Sequence, residues 1–180
     1  MARGSTVMQF EIEVSDVDRN VYETLSLSAA QHPSESREYL VARVLAHCLE
    51  QTDGLAFTRG LAEPDEPALW VKDLTGRLLA WIEIGTPTGA RLHKASKAAD
   101  AVAVYCHRPP EPWLQNLGKE RVHGSDAIRL VALDPRAVEH LAGAIERRNR
   151  WSLSRIEGTV YVEAGGETHT VVVTPLPWPG

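Results

Sequence analysis

The sequence predicts an α/β protein built on a mixed central β-sheet flanked by helices. Three observations carry that expectation. Residues 10–14 read Phe-Glu-Ile-Glu-Val, an apolar and charged alternation of period two that marks a half-buried strand. Residues 78–84 are apolar on both alternating faces except at Glu83, as a central strand covered on each side requires. Segments of helical periodicity stand between such runs, so strands and helices interleave along the chain and one mixed sheet with helices on its faces is the economical packing.

Taken in order, residues 10–14 and 21–27 form a hairpin across the turn-forming Asp18-Arg19-Asn20. His32-Pro33-Ser34-Glu35 signals a helix start, and the helix runs to about Glu50 with Val41, Val44, Leu45 and Cys48 on its apolar stripe before Asp53-Gly54 ends it. A second hairpin joins residues 68–72 to 78–84 through the tight turn at Thr75-Gly76. Thr86-Pro87-Thr88-Gly89 introduces a helix over 90–99, and the apolar run 101–105 completes a strand, helix, strand unit. Residues 112–118 follow as a helix, 128–133 as a strand, and 135–148 as a helix with Asp134 as cap and Pro135 at its first position. Residues 160–163 and 168–173, turned at Gly165-Gly166, make a closing hairpin, and 175–180 forms a Pro-rich, loosely ordered tail. A chain of 180 residues suits one well-buried domain over 1–180.

Hydrophobic residues at 43% and charged residues at 24% lie near globular averages, and no apolar run approaches the length that crosses a bilayer, so no membrane partner is expected. The first residues lack the apolar block of a secretory signal. With only Cys48 and Cys106 present, neither a disulfide framework nor a cysteine-rich zinc site is expected, and a reducing cytoplasm fits best. The net charge of -5 argues against nonspecific coating of nucleic acid, which demands a basic surface. Arg147, Arg148, Arg150 and Arg155 form the densest basic cluster, read as a solvated helix end, with Arg91, Lys94 and Lys97 as a second. Oligomeric state has no signature in the sequence.

Chemistry concentrates in the middle of the chain. Glu83 is a carboxylate in an otherwise apolar strand, a position that calls for a cation, a metal or several hydrogen-bond donors; pairing with Arg91 is the structural alternative. The hairpin brings the segment after Pro64-Asp65 alongside Glu83, and a one-residue change of register decides whether Asp65 or Glu66 shares its face. Two converging carboxylates suit a hard divalent cation, Mg2+ or Mn2+ in its place, which would orient and polarise a phosphodiester while Lys94 offsets growing negative charge. Glu38, three residues before Val41 and seven before Leu45, faces the apolar side of the first helix, either as helix stabilisation or as a further carboxylate toward the metal. The seven histidines include no close-spaced pair, and no phosphate loop, nucleophile elbow or dinucleotide fingerprint occurs. Trp70, Trp113 and Trp151 are expected in the core rather than stacked on bases.

Ser15-Asp16-Val17-Asp18-Arg19, His32-Pro33-Ser34-Glu35, Phe57-Thr58-Arg59-Gly60-Leu61, Asp65-Glu66-Pro67 and Trp81-Ile82-Glu83-Ile84-Gly85 with Pro87 closely resemble the YaeQ family of bacterial proteins over nearly the whole chain. The resemblance implies a variant of the restriction-endonuclease-like, PD-(D/E)XK core with additional β-hairpins. It implies further that Pro64-Asp65 and Glu83-Ile84-Gly85 are the two halves of that signature, with Gly85 where a lysine usually stands and Lys94 as its migrated substitute. Glu38 then matches the acidic residue of the first core helix. The expected function is a magnesium-dependent nuclease acting on DNA or RNA, with Asp65 and Glu83 as metal ligands and Lys94 and Glu38 assisting. The alternative is an inactive nuclease-like scaffold that binds nucleic acid or a protein partner.

Overall fold

The computed structural model describes residues 4–59 and 63–180, so Met1, Ala2, Arg3 and the Gly60-Leu61 part of the family-like motif lie outside the described residues. The described chain is mixed α/β, and it falls into two compact units, residues 1–51 with 133–173 and residues 52–132 with 174–180.

The first unit opens with β1 (Thr6–Asp16) and β2 (Val21–Gln31), paired antiparallel with Phe10 opposite Leu27. The alternation seen in residues 10–14 extends along all of β1, burying Met8, Phe10, Ile12 and Val14 while the residues between them face outward. Next comes α1 (Arg37–Leu49), capped by Ser36, whose hydroxyl accepts from the Tyr39 amide. Its predicted stripe is only part of a larger burial, since every residue from Leu40 to Leu49 is buried. A helix covered all round must satisfy its polar side chains internally. Arg43 meets that demand by donating from Nε and Nη2 to Glu35 Oε1 at 2.9 and 2.7 Å and from Nη2 to the Ala30 carbonyl.

The Ser15 to Arg19 motif is structural. Asp16, fully buried, accepts from the Arg19 amide, while the Arg19 guanidinium caps α1 by donating to the carbonyls of Leu49 and Gln51 at 2.8 and 3.0 Å. Both Asp18 oxygens accept from the amides of Glu157 and Gly158 at 2.8 Å, fixing a turn in which those two residues take positive φ.

The helix expected over 135–148 ends earlier. It is α4 (Pro135–Ala144), capped by Asp134 as predicted, and residues from 148 belong to a strand. Ile145 already has extended backbone, and Arg37 donates to its carbonyl. From there the sequence alternates, burying Trp151 and Leu153, so period two overrides the helical reading of the arginine cluster. Three further strands are β8 (Arg148–Ile156), β9 (Thr159–Ala164) and β10 (Glu167–Leu176). The strand order is β2-β1-β8-β9-β10, with β8 parallel to β1 and the other pairs antiparallel. Phe10 and Trp151 meet edge to face at 5.1 Å, and α1 packs on α4.

The second unit holds β3 (Leu55–Phe57), a short strand the sequence reading omitted, then β4 (Leu69–Lys72), β5 (Leu78–Ile84), α2 (Gly89–Ala98), β6 (Ala101–Cys106), α3 (Glu111–Leu117) and most of β7 (Arg129–Leu133). The order is β7-β6-β5-β4-β3, with β5, β6 and β7 parallel and the β4–β5 hairpin antiparallel as predicted. Its core gathers Trp81, Leu92, Val104, Trp113, Leu117 and Leu130. The tail expected to be loose packs instead: Leu176 and Trp178 lie against this core, because two large apolar side chains among the prolines have surface to cover. Cys48 and Cys106 are free and buried. Among the described residues no helix is long and apolar enough to cross a membrane.

Candidate functional site

Strand β5 delivers Glu83 to its end, and helix α2, started a few residues later by the Thr88 cap, delivers Arg91 and Lys94 three residues apart on one helix face. Glu83 is 4% exposed. Its Oε1 accepts from the Trp81 indole, two residues back on the same strand face, and from Arg91 Nε, both at 2.6 Å. Burial pushes the Glu83 carboxyl pKa up, with the Arg91 charge and the two hydrogen bonds opposing that shift.

Arg91 does more than neutralise Glu83. Its Nη1 donates to the Pro64 carbonyl and its Nη2 to the Glu66 carbonyl, tying the acidic loop to α2 through backbone rather than through side chains. Lys94 adds a second tie, Nζ to Asp65 Oδ1 at 2.6 Å. That pair lies in solvent, Asp65 being 88% and Lys94 56% exposed. The hydrogen bond and charge of Lys94 hold the Asp65 carboxyl below the usual carboxylate range. The register question resolves with neither Asp65 nor Glu66 bonded to Glu83: the Glu66 carboxylate accepts from the Arg59 amide.

Three of the four predicted site residues are therefore joined through Arg91 and the loop. Glu38 is placed elsewhere, on α1 in the first unit, half-buried beside a cleft with Arg37, Glu139 and His140. Gly85 adopts φ +96°, a left-handed conformation that side-chain-bearing residues, the lysine expected from the resemblance included, rarely take.

The donor chemistry does not fit a resident divalent cation as arranged. Two carboxylates face two cations, leaving no net negative charge to draw a metal, and the inner carboxylate oxygen already takes two donors. Among the described residues no three His, Cys, Asp or Glu side chains converge as a metal site would need. A different concavity lies in the same unit: a groove of about 610 Å³ whose lining includes Pro87, Arg108, Pro109, Pro112, Trp113 and Lys119. Its signal in the sequence is Arg108-Pro109-Pro110 standing between the strand β6 and a Trp-bearing helix.

A profile of the YaeQ protein family matches residues 1–173. The chain is 36% identical over 122 residues to the Uncharacterized protein YaeQ of Escherichia coli K12, covering 66% of this chain and 67% of that protein, and equally to that of Shigella flexneri. Among solved structures, the YaeQ protein from Pseudomonas syringae superposes with a TM-score of 0.89 at 34% identity, covering 96% of each chain. The YaeQ protein from Xanthomonas axonopodis pv. citri gives 0.86 at 34% identity, over 97% of this chain and 99% of that one.

Proposed function

The chain belongs to the YaeQ family, and from that premise we propose that it is a binding module: a nuclease-like core kept for recognition, with its signature carboxylates turned to structural use. One observation carries this reading, the occupation of Glu83 Oε1 by Arg91 and Trp81 at 2.6 Å each in a site 4% exposed. A hydrated cation entering there would have to displace a half-buried guanidinium whose other nitrogens hold the acidic loop. The -5 charge of the chain favours a protein partner over nucleic acid.

A second reading, the magnesium-dependent nuclease, draws support from Asp65, Glu83 and Lys94 lying on one connected network. The two readings part in calorimetric titration of Mg2+ and Mn2+ into the wild type and Glu83→Gln, with DNA and RNA cleavage assayed alongside. Neither protein is expected to bind metal or cleave. Metal binding that Glu83→Gln loses, together with cleavage by the wild type, would sink the binding-module reading.

A further inference from the structure

Pro87, Pro112, Trp113 and Leu117 give the second unit's groove an apolar lining, and its volume of about 610 Å³ is in the range that takes one large side chain with flanking backbone. The Trp113 indole N–H is already used, donating to the Pro87 carbonyl at 2.8 Å, so the ring offers packing surface only. Cations outnumber carboxylates on the lining, Arg108 and Lys119 against Glu120. Glu120, the single carboxylate, is turned to the N-terminus of α2, where Oε1 accepts from the Gly89 amide at 3.4 Å. Arg108 and Lys119 remain, both exposed and neither in an ion pair among the described residues, on a chain whose net charge is -5. Asn116 stands on the same lining, exposed, with no side-chain hydrogen bond among the described residues. A carboxamide so placed can both donate to and accept from one peptide unit of an extended chain.

We infer that this groove binds an extended acidic segment of a protein partner, with one apolar anchor side chain on Pro109, Pro112 and the exposed edge of Trp113, flanking carboxylates on Arg108 and Lys119, and a backbone amide on Asn116. The inference rests on the binding-module reading and names its partner class. Nucleic acid fits less well, because two cations do not track a phosphate backbone.

The test is fluorescence anisotropy, in EDTA, with labelled hexapeptides carrying Leu or Trp flanked by Asp and Glu, against lysine-flanked and alanine-anchored controls. Acidic peptides with the Leu or Trp anchor bind saturably, and more weakly as salt rises. Arg108→Glu/Lys119→Glu, two exposed changes that leave the melting temperature in place, lowers affinity roughly tenfold or more. Asn116→Ala lowers it by a smaller factor, and Glu83→Gln leaves it unchanged. Equal binding of lysine-flanked peptides, unchanged affinity in the double variant, or no saturable binding by any peptide overturns the inference. So does a labelled single-stranded DNA or RNA that binds and is lost in the double variant, which would hand the groove to nucleic acid. Peptide binding in EDTA beside metal binding lost in Glu83→Gln would refute the non-catalytic reading alone; absent peptide binding with no metal binding would refute the groove alone.

Discussion

The carboxylate of Glu83 lies between two donors and almost out of water, so its neighbours decide what its charge costs. Replacing Arg91 by Ala leaves that charge buried with only the indole, and also frees the carbonyls of Pro64 and Glu66. Because Arg91 is itself 31% exposed, the loss is discounted from that of a fully buried pair, to about 2 kcal/mol or more. Urea unfolding measures it, and Arg91→Ala/Glu83→Gln should recover part of the loss, since no charge then remains to be compensated. The pH dependence follows from sign. Burial raises the folded pKa of Glu83 above its unfolded value, so it is the ionised form that costs stability, and the defect of Arg91→Ala should shrink as pH falls through that raised pKa. A defect that stays constant from neutral to acid pH would show that the lost loop contacts, not the buried charge, dominate. The Asp65–Lys94 pair belongs to the opposite regime: both partners are exposed, and screening by solvent leaves it little part in stability.

At the scale of elements, α1 depends on the residues just before it. Glu35 accepts from the His32 amide through Oε2 and from Arg43 through Oε1, so the His32-Pro33-Ser34-Glu35 motif anchors the helix entry to the helix interior. Arg43→Ala should destabilise by about 3–5 kcal/mol because it strands a buried carboxylate, whereas Glu35→Gln/Arg43→Met should lose less; a thermal melt of the three proteins decides. Most elements were legible because their signals are local: the alternation of β1, the cap and proline that begin α4, the Gly76 turn of the β4–β5 hairpin. The misreadings have a shared cause. Residues 145–150 carry three arginines at a helix end, a pattern equally suited to a helix C-terminus and to an exposed strand face, and only pairing with β1 selects the strand. β3 is three residues long, too short for any period to register. Within the site, Glu83, Arg91 and Lys94 were legible from strand and helix spacing, while the turn of Asp65 into solvent and the placement of Glu38 in the other unit depend on tertiary contacts that spacing does not encode.

At the scale of the whole molecule, stability should carry the mark of one buried imidazole. His47, 6% exposed on α1, has its pKa depressed by burial from an ordinary 6.5 to about 4. The unfolded chain therefore takes up the proton first, so this contribution is complete above about pH 6.5 and is lost as pH falls toward 4, by at most about 3 kcal/mol. Melting temperature against pH should fall steeply through that window in the wild type and more gently in His47→Gln; parallel curves would assign the acid sensitivity to other groups. The path of the chain has a consequence of another kind. The first unit takes its strands from two stretches separated by residues 52–132, and β1 is completed by β8, which begins only at Arg148. On the ribosome the β1–β2 hairpin thus emerges long before its third strand exists. One edge of β1 waits with its amides and carbonyls bare while the intervening segment and α4 are synthesised, and that interval is when the nascent chain is most open to pairing with a strand that is not its own.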